Sequence, residues 1–128
     1  MRILAGEARG RPLRTPAGRA TRPTSARMRA ALCDRCGVQL PGARVLDLFA
    51  GTGSLGLEAL SRGAAHATFV EVAEPVARLL GENVRHLGFA ERSRVVHLPV
   101  ARALRRLAGD RFDLVVLDPP YGQGEIGP

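Results

Sequence analysis

The sequence predicts an α/β fold in which helices cover both faces of a parallel β-sheet. From residue 44 onward, short apolar segments alternate with amphipathic segments of helical periodicity, which is typical of parallel strands joined by helical crossovers. The first apolar segment passes into a glycine-rich turn, and the fourth ends in a Pro-Pro pair. Both features indicate ligand-binding loops, because sheets of this kind bind ligands beyond the carboxyl ends of their strands.

An arginine-rich segment precedes the predicted sheet. Residues 2–5 and 11–15 are short extended stretches beside two glycines, which predicts a small hairpin. A Thr-Ser pair then provides an N-cap for a helix over about residues 24–36. The sequence therefore predicts an N-terminal hairpin and helix over residues 1–36, followed by the sheet domain over residues 37–128.

Strand and helix signals alternate through the predicted sheet domain. Glycines at positions 63 and 88 are expected to stop the first two helices, and a proline at position 75 is expected to start the second. The predicted strands are residues 44–49, 67–72, 94–98 and 112–117, and the predicted helices are residues 54–62, 75–87 and 100–107.

The glycine-rich turn has the spacing Gly51-x-Gly53-x-x-Gly56. This spacing matches the fingerprint of nucleoside-binding folds, and Glu71 stands about 20 residues further on, where such folds place a ribose-binding acid. The three glycines are expected to adopt positive φ and to allow close backbone approach. The motif alone predicts a nucleoside-containing ligand and does not identify it.

Asp47 distinguishes between the candidate ligands. It lies inside the first predicted strand, four residues before Gly51. A carboxylate there would repel the pyrophosphate of a dinucleotide, whereas it would attract the sulfonium and ammonium groups of S-adenosylmethionine. The alternative is that Asp47 only caps the turn by accepting hydrogen bonds from backbone amides.

The fourth predicted strand ends in the tetrapeptide Asp118-Pro119-Pro120-Tyr121. Parallel strands end at one edge of a sheet, so the tetrapeptide and the glycine turn are expected to meet in one crevice. Asp118 and the carbonyl of Pro119 can accept the two protons of an exocyclic NH2 group, and Tyr121 offers a flat face for stacking. The alternative is an ordinary turn after a strand.

The positive charge is concentrated in residues 1–36. This part of the chain holds nine arginines against two acids, which equals the whole net charge of +7, while residues 37–128 hold ten of each. Guanidinium groups pair with phosphates in a bidentate manner, so the segregation predicts a polyanionic partner such as RNA. The alternative is a basic surface that only aids solubility. The candidate phosphate contacts are Arg9, Arg11, Arg14 and Arg22.

Neither a metal site nor a membrane segment is expected. Cys33 and Cys36 form a single C-x-x-C pair, which supplies two of the four ligands that zinc usually needs. No apolar run approaches the roughly 20 residues of a membrane span, and no signal-peptide pattern opens the chain. The cytoplasm is the expected location.

With these motifs, the sequence resembles the bacterial family that methylates the exocyclic amine of a guanine in small-subunit (16S) ribosomal RNA. That family belongs to the Rossmann-like methyltransferases that use S-adenosylmethionine. The N-terminal motifs narrow the resemblance, since many amine methyltransferases share the other motifs. The matching segments span nearly the whole chain: residues 1–6, 10–11, 21–24, 45–58, 60–64, 69–71 and 118–121, together with Asn83.

The resemblance implies roles for individual residues. Asp47, Gly51 and Gly53 would contact the methionine part of S-adenosyl-L-methionine, and Glu71 the ribose hydroxyls; the full predicted cofactor-binding set is Asp47, Phe49, Gly51, Gly53, Glu71, Val72 and Ala101. Asp118, Pro119 and Tyr121 would hold the target base for catalysis. The expected reaction is in-line attack of a flipped-out guanine amine on the sulfonium methyl group. The arginines would bind ribosomal RNA, in an assembling small subunit.

The sequence departs from the family pattern in two places. Pro99 stands where many relatives carry an acid that contacts adenine, so this contact is expected to fall to the backbone of Val100 or Ala101. The family continues for three further strands beyond the end of this sequence. The resemblance therefore implies an incomplete sheet in which residues 114–117 form an exposed apolar edge.

Other functions stay open from the sequence. Methylation of an adenine amine in DNA or RNA uses a tetrapeptide similar to that of residues 118–121. A non-catalytic RNA-binding protein would need only the basic residues, and a nucleotide-dependent oxidoreductase would need only the glycine turn.

Overall fold

The structure is a computed structural model and describes residues 1–15, 29–30, 34 and 39–117. The order of elements confirms the predicted alternation of strands and helices, although all four strands are shorter than predicted. The strands are β1 (Arg44–Asp47), β2 (His66–Val70), β3 (Ser93–Val96) and β4 (Leu114–Val116). The helices are α1 (Ser54–Ser61), α2 (Glu74–His86) and α3 (Val100–Arg106), with a 3₁₀ turn at Ala90–Arg92.

The four strands form one parallel sheet in the order β3-β2-β1-β4. β1 lies between β2 and β4, and its last residue, Asp47, is level with Phe69 in β2 and Val116 in β4. The carboxyl ends of these strands therefore meet at one edge. The predicted neighbourhood of the first and fourth strands is confirmed, and their junction is the switch point at which such sheets bind ligands.

Helices cover both faces of the sheet, as predicted. α1 and α2 share one core cluster with Val45 and Phe69, and α3 shares the other with Leu46 and Val70. Adjacent strand residues thus enter opposite cores, because successive side chains of a strand point to opposite faces. The strand that leads into the glycine turn, β1, is therefore packed on both faces.

Residues 1–15, called the N-terminal segment below, fold back on themselves. Arg2 and Pro12 form an antiparallel bridge, and the amide of Ile3 donates to the carbonyl of Arg11 at 3.0 Å. The amide of Gly10 donates to the carbonyl of Ile3 at 2.8 Å. The predicted hairpin is confirmed.

The N-terminal segment is part of the core of the sheet domain. Ile3, Ala8 and Leu13 are buried in the cluster that contains α1 and α2. Of the predicted helix over residues 24–36, the structure describes residues 29, 30 and 34, all of them helical. The predicted domain boundary near residue 36 lies outside the described residues. Residues 1–15 and 39–117 therefore share one hydrophobic core.

The predicted apolar edge is formed by two exposed side chains, one in β4 and one just after it. Val115 and Leu117 are 53% and 63% exposed, respectively, whereas Leu114 and Val116 are half-buried and pack against the cluster of α1 and α2. The predicted edge therefore exposes the side chains of Val115 and Leu117 but not those of Leu114 and Val116, because alternate strand residues face the core. Among the described strands, β4 pairs with β1 alone.

None of the helices in the described parts of the chain has the length and hydrophobicity to cross a membrane. Within the same ranges, no group of three or more His, Cys, Asp or Glu side chains lies close enough to hold a metal ion. The predicted C-x-x-C pair, Cys33 and Cys36, lies outside these ranges.

Candidate functional site at the glycine turn

The glycine turn joins β1 to α1 at the carboxyl edge of the sheet. Gly51 and Gly53 have φ angles of 57° and 94°, a region that favours glycine. The amide of Gly53 donates to the carbonyl of Ala50 at 2.8 Å, which closes the turn, and Gly53 is the N-cap of α1. The predicted positive φ is confirmed at these two positions.

The three glycines serve different purposes. A Cβ at Gly53 would lie 2.4 Å from Cδ1 of Leu80, and a Cβ at Gly56 would lie 2.3 Å from Cε1 of Phe69. Gly56 lies in α1 and does not have a positive φ, so that prediction was wrong; its glycine lets α1 approach β2. A Cβ at Gly51 would meet no atom of the described residues within 4 Å, so none of them packs against the turn at this point.

Glu71, the predicted ribose-binding acid, lies against the glycine turn. It follows the last residue of β2, and its Oε1 accepts a hydrogen bond from the Gly51 amide at 2.8 Å. Its Oε2 accepts one from the Ala73 amide at 2.9 Å. A carboxylate offers roughly four acceptor positions, so Glu71 can accept further hydrogen bonds from ligand hydroxyls.

Asp47 places a second carboxylate beside the turn. It is the last residue of β1 and only 1% exposed. A buried carboxylate attracts a nearby cation more strongly than an exposed one, because the surrounding dielectric constant is lower. The glycine turn therefore lies close to two acidic side chains.

The other predicted cofactor-binding residues also lie at the carboxyl ends of strands or follow them. Phe49 is half-buried against the core of α3, and Val72 is 59% exposed just beyond β2. The carbonyl of Val72 lies 3.0 Å from Nε2 of His97, which follows β3. Ala101 is exposed in the first turn of α3, which Pro99 N-caps in an extended conformation.

The predicted catalytic residues Asp118, Pro119 and Tyr121 lie outside the described residues. β4 runs parallel to β1, and the described chain continues one residue past it to Leu117. The chain therefore reaches the edge that carries the glycine turn one residue before Asp118. The catalytic roles stay predictions.

The described candidate RNA contacts are exposed side chains on the N-terminal segment. These are Arg9, Arg11 and Arg14, whereas Arg22 lies outside the described residues. Nη2 of Arg11 donates to the carbonyl of His86 at 2.7 Å, and Nη1 of Arg14 lies 3.2 Å from Oε1 of Glu82. An exposed ion pair of this kind contributes little stability, so a phosphate can displace it at little cost.

Glu58 is a buried residue of α1 to which sequence analysis assigned no role. Its oxygens accept hydrogen bonds from the amides of Leu4 and Ala5, at 2.9 and 3.0 Å. The same carboxylate lies 3.6 Å from Nη1 of Arg29 and 3.0 Å from Nε of Arg62. One carboxylate therefore joins the N-terminal segment to the helix that follows the glycine turn.

Ser61 holds the same segment one turn further along α1. Its Oγ accepts a hydrogen bond from the Ala8 amide at 2.8 Å and donates to the carbonyl of Ala5 at 2.6 Å. Asn83, on α2, is a third buried polar residue that holds the N-terminal segment and to which sequence analysis assigned no role. A polar side chain within an apolar helical stripe was the available signal, since Asn83 lies between Leu80 and Leu87 on the buried face.

A histidine with a shifted pKa, His66, lies at the amino ends of the strands, away from the glycine turn. The pKa of His66, at the amino end of β2, is lowered by burial and by the positive charges of Arg44 and Arg94. Its titration acts at the far end of the strands from the glycine turn.

Known proteins are similar to this chain in sequence and in fold. The family described as "Conserved hypothetical protein 95" matches residues 1–127. "Ribosomal RNA small subunit methyltransferase D" of Escherichia coli (strain K12) is 40% identical over 126 residues, which cover 97% of this chain. "Putative rRNA methyltransferase YlbH" of Bacillus subtilis (strain 168) is 36% identical over 128 residues, which cover 98% of this chain.

The match spans 62% of the Escherichia coli relative and 70% of the Bacillus relative. A solved structure, "Putative methyltransferase yhhF from Escherichia coli", superimposes with a TM-score of 0.81 at 38% identity and covers 98% of this chain and 67% of that one. These findings confirm the predicted fold class and the resemblance to ribosomal RNA methyltransferases. The chain belongs to the family described as conserved hypothetical protein 95 and has the Rossmann-like methyltransferase fold.

Proposed function

We propose that this chain binds S-adenosylmethionine at the glycine turn and forms part of an enzyme that methylates a guanine exocyclic amine in small-subunit ribosomal RNA. The observation that supports the cofactor is the hydrogen bond from the Gly51 amide to Glu71, with Asp47 nearby at the end of β1. The names of the relatives support the RNA substrate.

The hydrogen bonds of the turn favour a cationic ligand over a phosphate. A dinucleotide would place its pyrophosphate on the amides of such a turn. Here the amide of Gly51 donates to Glu71, and the amide of Gly53 donates to Ala50. A pyrophosphate on the Gly51 amide would have to displace Glu71, and it would also be repelled by the carboxylates of Glu71 and Asp47.

The residues of the site fit S-adenosylmethionine. None of the described residues packs over Gly51, which leaves room for the ligand, and the charge of Asp47 favours its ammonium and sulfonium groups. The remaining acceptor positions of Glu71 suit ribose hydroxyls, while Val72 and Ala101 offer exposed surface for the nucleoside. When bound, this cofactor supplies an electrophilic methyl group.

The tetrapeptide after β4 would hold the target base. Asp118 and the carbonyl of Pro119 would accept the two amine protons and so direct the nitrogen lone pair away from the ring. Tyr121 would stack on the base, which must leave its helical stack to enter the site. Positioning and electrostatics carry the reaction, and no strong base is required because the amine proton becomes acidic only as the new bond forms.

The cofactor assignment predicts selective binding. The demethylated product S-adenosylhomocysteine should bind and raise the melting temperature by mass action, while NAD should do neither. Replacement of Glu71 by alanine should weaken binding of this product at least about tenfold, as expected for the removal of hydrogen bonds to a charged group. Isothermal titration calorimetry measures the affinities, and differential scanning calorimetry measures the melting temperature.

The matched control is Glu74→Ala, which removes an exposed carboxylate three residues further on that pairs with Arg78. Its affinity for S-adenosylhomocysteine should equal that of the unaltered chain. Tighter binding of NAD than of S-adenosylhomocysteine would contradict the cofactor assignment.

RNA binding should depend on the N-terminal segment. Each arginine that no longer binds a phosphate should lower the slope of log affinity against log salt by roughly 0.7–0.9. Two triple alanine variants are compared by filter binding at several salt concentrations: Arg9, Arg11 and Arg14 on the segment, against the exposed Arg102, Arg105 and Arg106 around α3. The first variant should show the larger fall in both affinity and slope. Equal falls would show that the segment has no special role in RNA binding.

A further inference from the structure

Asn83 is a buried amide that contacts two separate parts of the chain. It lies on the inner face of α2 and is 0% exposed. Its Oδ1 accepts a hydrogen bond from the Arg14 amide at 2.8 Å, and its Nδ2 donates to the Arg14 carbonyl at 3.1 Å. The same Nδ2 donates to the carbonyl of Thr52 at 3.0 Å. One side chain therefore joins the N-terminal segment to the glycine turn.

The chemistry of the amide makes these hydrogen bonds interdependent. An NH2 group has two protons, and here one is directed to Arg14 and the other to Thr52. The amide is planar, so a movement that follows one carbonyl also moves the donor away from the other. Because Asn83 is excluded from solvent, water cannot replace a missing partner. The conformation in which Asn83 keeps its hydrogen bonds to both Arg14 and Thr52 is therefore favoured over conformations that lose one of them.

Each of the two residues that Asn83 contacts belongs to a part of the chain with a proposed ligand: Thr52 to the glycine turn, and Arg14 to the N-terminal segment. Thr52 lies between Gly51 and Gly53, whose positive φ angles shape the turn. Arg14 presents its backbone to Asn83 and its guanidinium to solvent, beside Glu82. A phosphate held by the Arg14 guanidinium would restrict the backbone that Asn83 contacts, and a ligand on the turn would restrict Thr52.

We propose that Asn83 is a positioning residue that couples RNA binding at the N-terminal segment to cofactor binding at the glycine turn, so that each ligand raises the affinity for the other. This inference rests on the proposed function for the identity of the two ligands. Thermodynamic linkage requires the factor to be the same in both directions.

The coupling is measured from four dissociation constants. The affinity for S-adenosylhomocysteine is determined with and without small-subunit ribosomal RNA, and the affinity for the RNA with and without S-adenosylhomocysteine. The unaltered chain should show a coupling factor of about fivefold or more. Asn83→Leu removes all three hydrogen bonds. In this variant the coupling factor should be about one, so that neither ligand changes the affinity for the other.

Ser61→Ala is the matched control. Ser61 also anchors the N-terminal segment, through Ala5 and Ala8, but it does not contact the glycine turn. This variant should weaken RNA binding and keep the coupling factor. An unchanged factor in Asn83→Leu, or a factor of one in the unaltered chain, would overturn the proposal. Failure of the unaltered chain to bind either ligand would instead contradict the proposed function.

Hydrogen exchange on the unaltered chain tests the same coupling if Asn83→Leu does not fold. The Arg14 amide donates to Asn83, and the Glu7 amide of the same segment donates to the carbonyl of Ser61. Saturating S-adenosylhomocysteine should slow exchange of the Arg14 amide about fivefold or more and leave that of Glu7 unchanged. No change at Arg14, or an equal change at both amides, would overturn the proposal.

Discussion

Replacement of Asp118 by alanine should lower kcat about 100-fold or more, as found when one aimed polar group is removed from a reacting centre. The variant is made in a protein extended to the full length of the relatives, because this chain spans 62% of the Escherichia coli relative. Affinity for S-adenosylmethionine should change little, because Asp118 is proposed to contact the base and not the cofactor. Steady-state kinetics with saturating RNA separates the two effects.

Asp110→Ala provides the control for that variant. Asp110 is an exposed carboxylate before β4 whose Oδ2 lies 3.5 Å from Nη1 of Arg94. Its replacement should leave kcat near that of the unaltered protein. Near-normal turnover in Asp118→Ala would show that Asp118 does not accept the amine protons.

Glu58→Ala should have the largest effect on stability. Glu58 is fully buried, and its carboxylate binds the amides of Leu4 and Ala5 as well as Arg29 and Arg62. Breaking a buried ion pair by removing one partner costs about 3–5 kcal/mol, because the desolvated groups that remain lose their counter-charge. Urea unfolding followed by circular dichroism measures the change in the free energy of unfolding.

Glu74→Ala is the matched control, since Glu74 and Arg78 form an ion pair with the same i, i+4 spacing as Glu58 and Arg62. The Glu74 pair is exposed on α2, so its removal should change the free energy of unfolding by about 0.5 kcal/mol or less. Equal destabilisation by the two substitutions would show that Glu58 does not hold the N-terminal segment.

The strands and helices were predictable because their signals are local. The apolar runs and helical periodicity identified the four strands and the three helices between them but not the 3₁₀ turn at Ala90–Arg92, and the glycine spacing identified the turn between β1 and α1. The spacing could not show that Gly56 is needed for close packing against Phe69 and not for positive φ. That distinction depends on which strand α1 packs against, and hence on tertiary structure.

The attachment of the N-terminal segment was not predictable for the same reason. Its charge pattern suggested a basic arm, but Ile3, Ala8 and Leu13 lie in the core of the sheet domain. Their spacing fits neither a helix nor a strand. The amide of Leu4 and its acceptor Glu58 are 54 residues apart in sequence, so no local pattern could pair them.

Incubation of the protein, extended to the length of its relatives, with labelled S-adenosylmethionine and small-subunit ribosomal RNA tests the proposed function most directly. Both naked RNA and partly assembled subunits are used as substrates, and the RNA is digested to nucleosides to locate the label. The proposed function predicts label in a guanosine methylated on its exocyclic amine. Label in a methylated adenosine, or no transfer by protein that binds the cofactor, would contradict it.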